Sequence, residues 1–117
     1  MRILVAGSIG QVAQSLVLRA RTSSHTVLAM GRPGFDLTDA GTISARLDEF
    51  QPDTIINAAA YTAVDAAETD EENALAVNAA GAGSLAAEAA RRSLPILHLS
   101  TDYVFDGSKA EAYDESD

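Results

Sequence analysis

Short apolar runs alternate with longer stretches of helical period along the chain, and no other feature restricts its fold as strongly. The runs Ile3 to Ala6, Thr26 to Met30, Thr54 to Ile56 and Ile96 to Ser100 have strand length. They are separated by segments whose apolar residues recur every three or four positions, the pattern of βαβ units whose parallel strands are buried on both faces. The first helical segment starts near Gly10 and carries Val12, Leu16 and Ala20 on one stripe, with Ala13 and Val17 beside them. Thr22-Ser23-Ser24 closes it. Gly31, Pro33 and Gly34 break regular structure after the second run, and Thr38 or Asp39 then caps a short helix with Ile43, Leu47 and Phe50 facing inward. Pro52 ends that helix. Asp70 is the expected cap of the longest helix, because Glu71 and Glu72 suit its positive end and Arg91 and Arg92 its negative end. Its apolar positions are Leu75, Ala79, Ala82, Ala86 and Ala89, and Pro95 terminates it.

A length of 117 residues holds one domain. The absence of cysteine excludes disulfides, thiolate metal sites and Cys nucleophiles, so redox chemistry here requires a bound cofactor. A net charge of −9 with only eight Lys and Arg opposes nucleic-acid binding, and an anionic ligand must be held by backbone dipoles and a few placed cations. No apolar run approaches the roughly 20 residues that span a bilayer, which leads us to expect a cytoplasmic protein without a membrane partner. The acidic clusters Asp65 to Glu72 and Glu111 to Asp117 read as solvated surface rather than a metal site. His25 falls in a loop, and His98, between Leu97 and Leu99, reads as a core histidine hydrogen-bonded to backbone. The two have no metal-ligand spacing.

Gly7-Ser8-Ile9-Gly10-Gln11-Val12-Ala13 follows the first strand and opens the first helix, the place where a dinucleotide's pyrophosphate meets backbone N–H groups. Gly7 permits the tight turn, Gly10 lets the pyrophosphate approach, and Ala13 allows close helix packing. At the end of the second strand an acid would take the ribose 2′-OH of NAD, whereas a cation would accommodate the 2′-phosphate of NADP. The residues there are Met30-Gly31-Arg32, so Arg32 points to NADP(H), with NAD(H) as the alternative. Asp36 and Leu37 are placed to border the adenine, although Asp36 also fits a turn before the helix cap. Ala58, Ala59 and Ala60 leave the third strand as small residues that give a dinucleotide room. Ser100 and Thr101 end the fourth strand with two hydroxyls beside the expected nicotinamide position, where Thr101 can donate to a developing oxyanion.

These blocks, GSIGQVAQSL, FDLTD, PDTIINAAAYTAVDAAE and STDYVFDG, resemble the dTDP-4-dehydrorhamnose reductase family of extended short-chain dehydrogenase/reductases. The resemblance implies an α/β fold: a Rossmann-type, doubly wound parallel sheet of order 3-2-1-4 in three layers, truncated after the fourth strand. Residues 1–117 would form a partial NAD(P)-binding domain without the substrate lobe. It implies NADPH-dependent reduction of the C4 keto group of dTDP-4-dehydro-L-rhamnose to dTDP-L-rhamnose. It assigns Thr101 as the catalytic Thr, and Gly7, Ser8, Ile9, Gly10, Gln11, Val12, Arg32, Asp36, Leu37, Ala58, Ala59, Ala60 and Ser100 to the cofactor. Tyr61, Val64, Asp102 and Tyr103 fall on the substrate side, and Asn78 takes a structural hydrogen bond. A dTDP-sugar is the implied partner, and a homodimer the implied assembly of the intact enzyme.

One departure is large. The family's proton donor is a Tyr followed four residues later by a Lys, whereas Tyr61, Tyr103 and Tyr113 are followed at that spacing by Asp65, Gly107 and Asp117, and the only lysine is Lys109. We therefore expect a cofactor-binding fragment without turnover of its own. The competing expectations are a non-catalytic Rossmann module that senses nucleotide or docks a partner, and another sugar-nucleotide reductase or epimerase.

Overall fold

The computed structural model describes residues 1–117 apart from the side chain of Asp102. In chain order the elements are β1 (Arg2–Ala6), α1 (Gln11–Ala20), β2 (Thr26–Met30), α2 (Ala40–Phe50), β3 (Thr54–Asn57), α3 (Val64–Ala67), α4 (Glu71–Leu75), a π-helical turn (Ala76–Gly81), α5 (Ala82–Arg91), β4 (Ile96–His98) and a 3₁₀ turn (Asp102–Val104). The four strands form one parallel sheet.

The sheet order is β2-β1-β3-β4 rather than the expected 3-2-1-4. The third strand therefore lies beside the first, with Leu4 opposite Ile55 and Ala6 opposite Asn57. After β2 the chain does not add a strand at that edge. Residues 31–39 are turn and coil, fastened by Phe35 N–H donating to the Gly31 carbonyl and by an Asp36 turn, and α2 carries the chain across to the far side of β1. Right-handed crossovers then fix the layers. The step from β1 to β2 runs one way along the sheet, and the steps from β2 to β3 and from β3 to β4 run the other. Accordingly α1 covers one face, while α2 and α5 share the opposite one and pack together.

The main core lies under α2 and α5. Leu4, Ala6 and Ile55 from the sheet pack with Ile43 and Leu47 of α2, Leu85 and Ala89 of α5, and Phe35 and Leu37 from the connecting turn. On the α1 face Val5 and Ala13 are fully buried, but Val12, expected on the inward stripe, is 42% exposed. Asp39 caps α2, accepting from the Gly41 and Thr42 N–H groups. Gln51 ends α2 in the left-handed region, at φ 47°, one residue before Pro52.

The long helix expected after Asp70 is interrupted. A π-helical turn separates α4 from α5, and the inward positions shift to Gly81, Leu85, Glu88 and Ala89, leaving Leu75 exposed. The interruption goes with a close contact. Gly81 lies so close to Leu37 that a Cβ there would meet the Leu37 Cβ at 2.8 Å and the Ala76 carbonyl oxygen at 2.9 Å. Asp70 sits at the start of α4 without capping it; its carboxylate accepts from the Tyr61 hydroxyl and the Asn73 amide instead. Arg91 and Arg92 both pair with Glu88, and Arg92 reaches on to Asp48 and Ser44, tying α5 to α2.

β4 is an edge strand of three residues, two shorter than expected. Its edge position also corrects the reading of His98, which is exposed rather than buried in the core. Leu97 shares the α1 face with Val5 and Ile56 and is 62% exposed, because among the described residues no helix reaches that end of the face.

Candidate functional site

Parallel strands place all four of their carboxyl ends along one edge, and every loop singled out from the sequence emerges there. Gly7 leaves β1 with φ 102° and its N–H donates to the Met30 carbonyl at 2.7 Å. A Cβ at Gly7 would stand 3.2 Å from the carbonyl carbon and oxygen of Ala58, so the turn is pressed against the loop that follows β3. On its other side Ser8 lies against Gly31, where a Cβ would come within 2.7 Å of the Ser8 hydroxyl. The glycine turn is thus wedged between the ends of β2 and β3. Gln14 steadies it from α1, its side-chain amide donating to the Ile9 carbonyl at 2.9 Å.

Gly10 is the N-cap of α1, and a Cβ there would meet nothing within 4 Å. No side chain caps the helix and its first turn carries no acid. Its leading N–H groups thus stand without a side-chain cap at the positive end of a ten-residue helix, an arrangement that favours an anion. Gln11 and Val12 begin the helix, and Ile9 is 87% exposed above it. A shallow depression of about 640 Å³ runs from Ser8 and Gln11 along α1 to Arg21, meeting the carboxyl edge only at its Ser8 end.

The end of β2 carries Arg32, exposed. Asp36 forms the turn before α2, accepting from the N–H and hydroxyl of Thr38; these bonds, with Arg32 nearby, hold its carboxyl below the ordinary range. Leu37 is buried in the core, its Cβ and carbonyl oxygen packed against Gly81. Ala58 and Ala59 are half-buried and Ala60 is exposed.

The Tyr61 loop is fastened by a residue of the π-helical turn. The Tyr61 N–H donates to Asn78 Oδ1 at 2.8 Å, and Asn78 Nδ2 donates to the Tyr61 carbonyl at 3.0 Å, the structural hydrogen bonding expected of Asn78. Desolvation and the hydrogen bond to Asp70 raise the Tyr61 phenol above its ordinary value. Val64, the first residue of α3, is 61% exposed.

Ser100 and Thr101 follow β4 and are exposed; the Thr101 hydroxyl accepts from the Tyr103 N–H at 3.2 Å. Tyr103 is 80% exposed, and Asp102, assigned to the substrate side with it, lies outside the described residues. β3 stands between β1 and β4, so the glycine turn and the Thr101 segment leave the sheet two strand spacings apart, about 10 Å.

Three contributors escaped the sequence reading. Gly31 and Gly81 serve as close-approach points, and an isolated glycine inside a helical period was the available signal for Gly81. Asn57, just before the small-residue loop, is 1% exposed and bonded through both amide atoms.

With this geometry in view, the comparisons are consistent. The family model described as the RmlD substrate binding domain matches residues 1–117, and the chain belongs to that family. It is 46% identical over 117 residues to a dTDP-4-dehydrorhamnose reductase of Sinorhizobium fredii, covering all of this chain and 39% of that protein. A dTDP-4-dehydrorhamnose reductase of Aggregatibacter actinomycetemcomitans is 44% identical, with 99% of this chain and 40% of that protein covered. The chain therefore spans about two-fifths of the length of these relatives. Among solved structures, a Bacillus anthracis dTDP-4-dehydrorhamnose reductase in complex with NADP superimposes with a TM-score of 0.89 at 32% identity, over 97% of this chain and 41% of that one. A Clostridium acetobutylicum dTDP-4-dehydrorhamnose reductase gives a TM-score of 0.91 at 34% identity over 100% and 42%.

Proposed function

We propose that this chain is the cofactor-holding part of an NADPH-dependent reductase that converts the C4 carbonyl of dTDP-4-dehydro-L-rhamnose to the alcohol of dTDP-L-rhamnose. The observation that carries the reading is the uncapped, acid-free start of α1, opened by Gly10 beside a glycine turn wedged between β2 and β3. The residues present fit a dinucleotide. In this reading the N–H groups of Ser8 to Val12 hold the diphosphate, Arg32 takes a 2′-phosphate, Asp36 and Leu37 border the adenine, and Ala58 to Ala60 and Ser100 line the way to the nicotinamide. NADPH, when bound, supplies the hydride.

Thr101 donates a hydrogen bond to the substrate carbonyl as charge develops on its oxygen. Tyr61, Val64, Asp102 and Tyr103 face the sugar nucleotide. The reading places the protein in the cytoplasm, and it includes no turnover by residues 1–117 alone, since they contain no Tyr followed four residues later by Lys. No helix is long and apolar enough to cross a membrane among the described residues.

Calorimetric titration with NADPH and NADH, run beside an assay of NADPH oxidation on dTDP-4-dehydro-L-rhamnose, tests the proposal. We expect binding that favours NADPH and no turnover. A chain that binds neither dinucleotide refutes the groove, and sustained turnover refutes the claim of an incomplete proton-donating site. A second reading, reduction of a different dTDP-keto sugar, draws on a Streptomyces niveus relative named dTDP-4-keto-6-deoxy-D-glucose reductase, 44% identical over 115 residues. Comparing the two keto sugars as ligands separates them.

A further inference from the structure

We infer that Asn57 and His98 act as a positioning pair that locks the cofactor loop after β3 to the strand end that delivers Ser100 and Thr101; this rests on the groove reading above. Asn57 is 1% exposed, so every polar atom of its side chain must be matched inside the protein. Its Oδ1 accepts from the Ala59 N–H at 3.2 Å, and its Nδ2 stands 3.0 Å from His98 Nδ1. A backbone N–H can only donate, which fixes the amide oxygen on the Ala59 side and turns the amide nitrogen toward the imidazole. A nitrogen-to-nitrogen approach of that length is a hydrogen bond only if Nδ1 offers its lone pair. In this arrangement His98 Nδ1 is therefore the acceptor.

The backbone of Asn57 adds to the junction. Its carbonyl accepts from the Leu99 N–H at 3.1 Å, the last bond between β3 and the edge strand before Ser100. One residue thus holds the carboxyl end of β4 through its carbonyl and its amide nitrogen, and the start of the Ala58 to Ala60 loop through its amide oxygen. Because β4 pairs at three positions and, among the described residues, has no neighbour on its other side, its end depends on these bonds. Turning the Asn57 amide over would set its NH₂ against the Ala59 N–H in a buried place, so a displaced His98 disturbs both loops together.

The test uses the full chain and reads two properties. Nitrogen-15 NMR of the imidazoles at neutral pH should show His98 protonated at Nε2 and bare at Nδ1. In NADPH titrations His98→Leu and His98→Gln, which remove the acceptor at the Nδ1 position, should weaken binding about tenfold, the factor of one hydrogen bond. His98→Asn, whose oxygen can occupy that position, should bind within about twofold of the parent. His98→Leu and His98→Gln leave the buried Asn57 Nδ2 unmatched, so both should also melt a few degrees lower, whereas His98→Asn should melt with the parent.

A proton on Nδ1, equal NADPH affinity in His98→Leu, or a loss that His98→Asn does not restore overturns the inference. A parent chain that ignores NADPH refutes the groove and with it this role. A parent that binds while the variants bind equally refutes the positioning pair alone.

Discussion

Gly7 and Gly10 stand three residues apart in one turn, yet alanine at the two positions should fail in different ways. At Gly7 the backbone has φ 102°, a region that costs an L-residue about 1–3 kcal/mol. The added Cβ would also press on the Ala58 peptide at 3.2 Å, which must give by a few tenths of an ångström, about 1 kcal/mol more. Together these come to about 2–4 kcal/mol, against a total stability of about 5–15 kcal/mol for a domain. At about 4 °C per kcal/mol for this size, Gly7→Ala should lower the thermal midpoint by about 8–16 °C. Gly10→Ala meets no atom within 4 Å and keeps an ordinary φ of −70°, so its midpoint should stay within about 4 °C of the parent. If a diphosphate approaches that face of the turn, however, the new methyl group stands in its way and NADPH affinity should fall at least about tenfold. Calorimetric melting and NADPH titration of both variants measure the two effects. A Gly7→Ala midpoint equal to the parent's would refute the strain argument, and a Gly10→Ala chain with full NADPH affinity would refute the approach of the cofactor.

Other perturbations have equally definite outcomes. Arg32→Ala should weaken NADPH about tenfold while leaving NADH nearly unchanged; equal losses for both dinucleotides would remove Arg32 from the 2′-phosphate site. Gly81→Ala forces a Cβ to within 2.8 Å of Leu37, and should destabilise the chain by about 1–3 kcal/mol in urea titrations, with no change expected only if the π-helical turn relaxes freely. Glu88, buried against Arg91 and Arg92, has its carboxyl held below the ordinary 4.5 chiefly by the Arg91 hydrogen bond. A lowered folded-state value contributes stability above pH about 4.5 that is lost as pH falls through the folded value. Stability measured from pH 6 downward should therefore fall less steeply in Glu88→Gln than in the parent below pH about 4.5, and parallel curves would count against the assignment.

Local chemistry made much of this molecule legible. Strand-length runs of Ile, Leu and Val can be satisfied only between layers, so β1 to β3 and their parallel direction, though not their order, followed from pattern. The glycine turn after β1, the Asp39 cap and the inward Ile43 and Leu47 were legible for the same reason, because each depends on neighbours within a few residues.

What the tertiary structure decided involves residues distant in sequence. Which side of β1 the third strand takes follows the course of residues 31–39 and α2, and Leu37 on that course packs in the core against Gly81, some 40 residues later. That same contact goes with the π-helical turn, which no periodicity announces. His98 alternates with leucines as a core residue would, yet its exposure is set by β4 standing at the sheet's edge, and its partner Asn57 becomes adjacent only when β3 and β4 pair. Side-chain periodicity reports which residues avoid water; which strand lies at an edge, and which polar groups meet across it, is fixed by the order in which the crossovers lay the strands down.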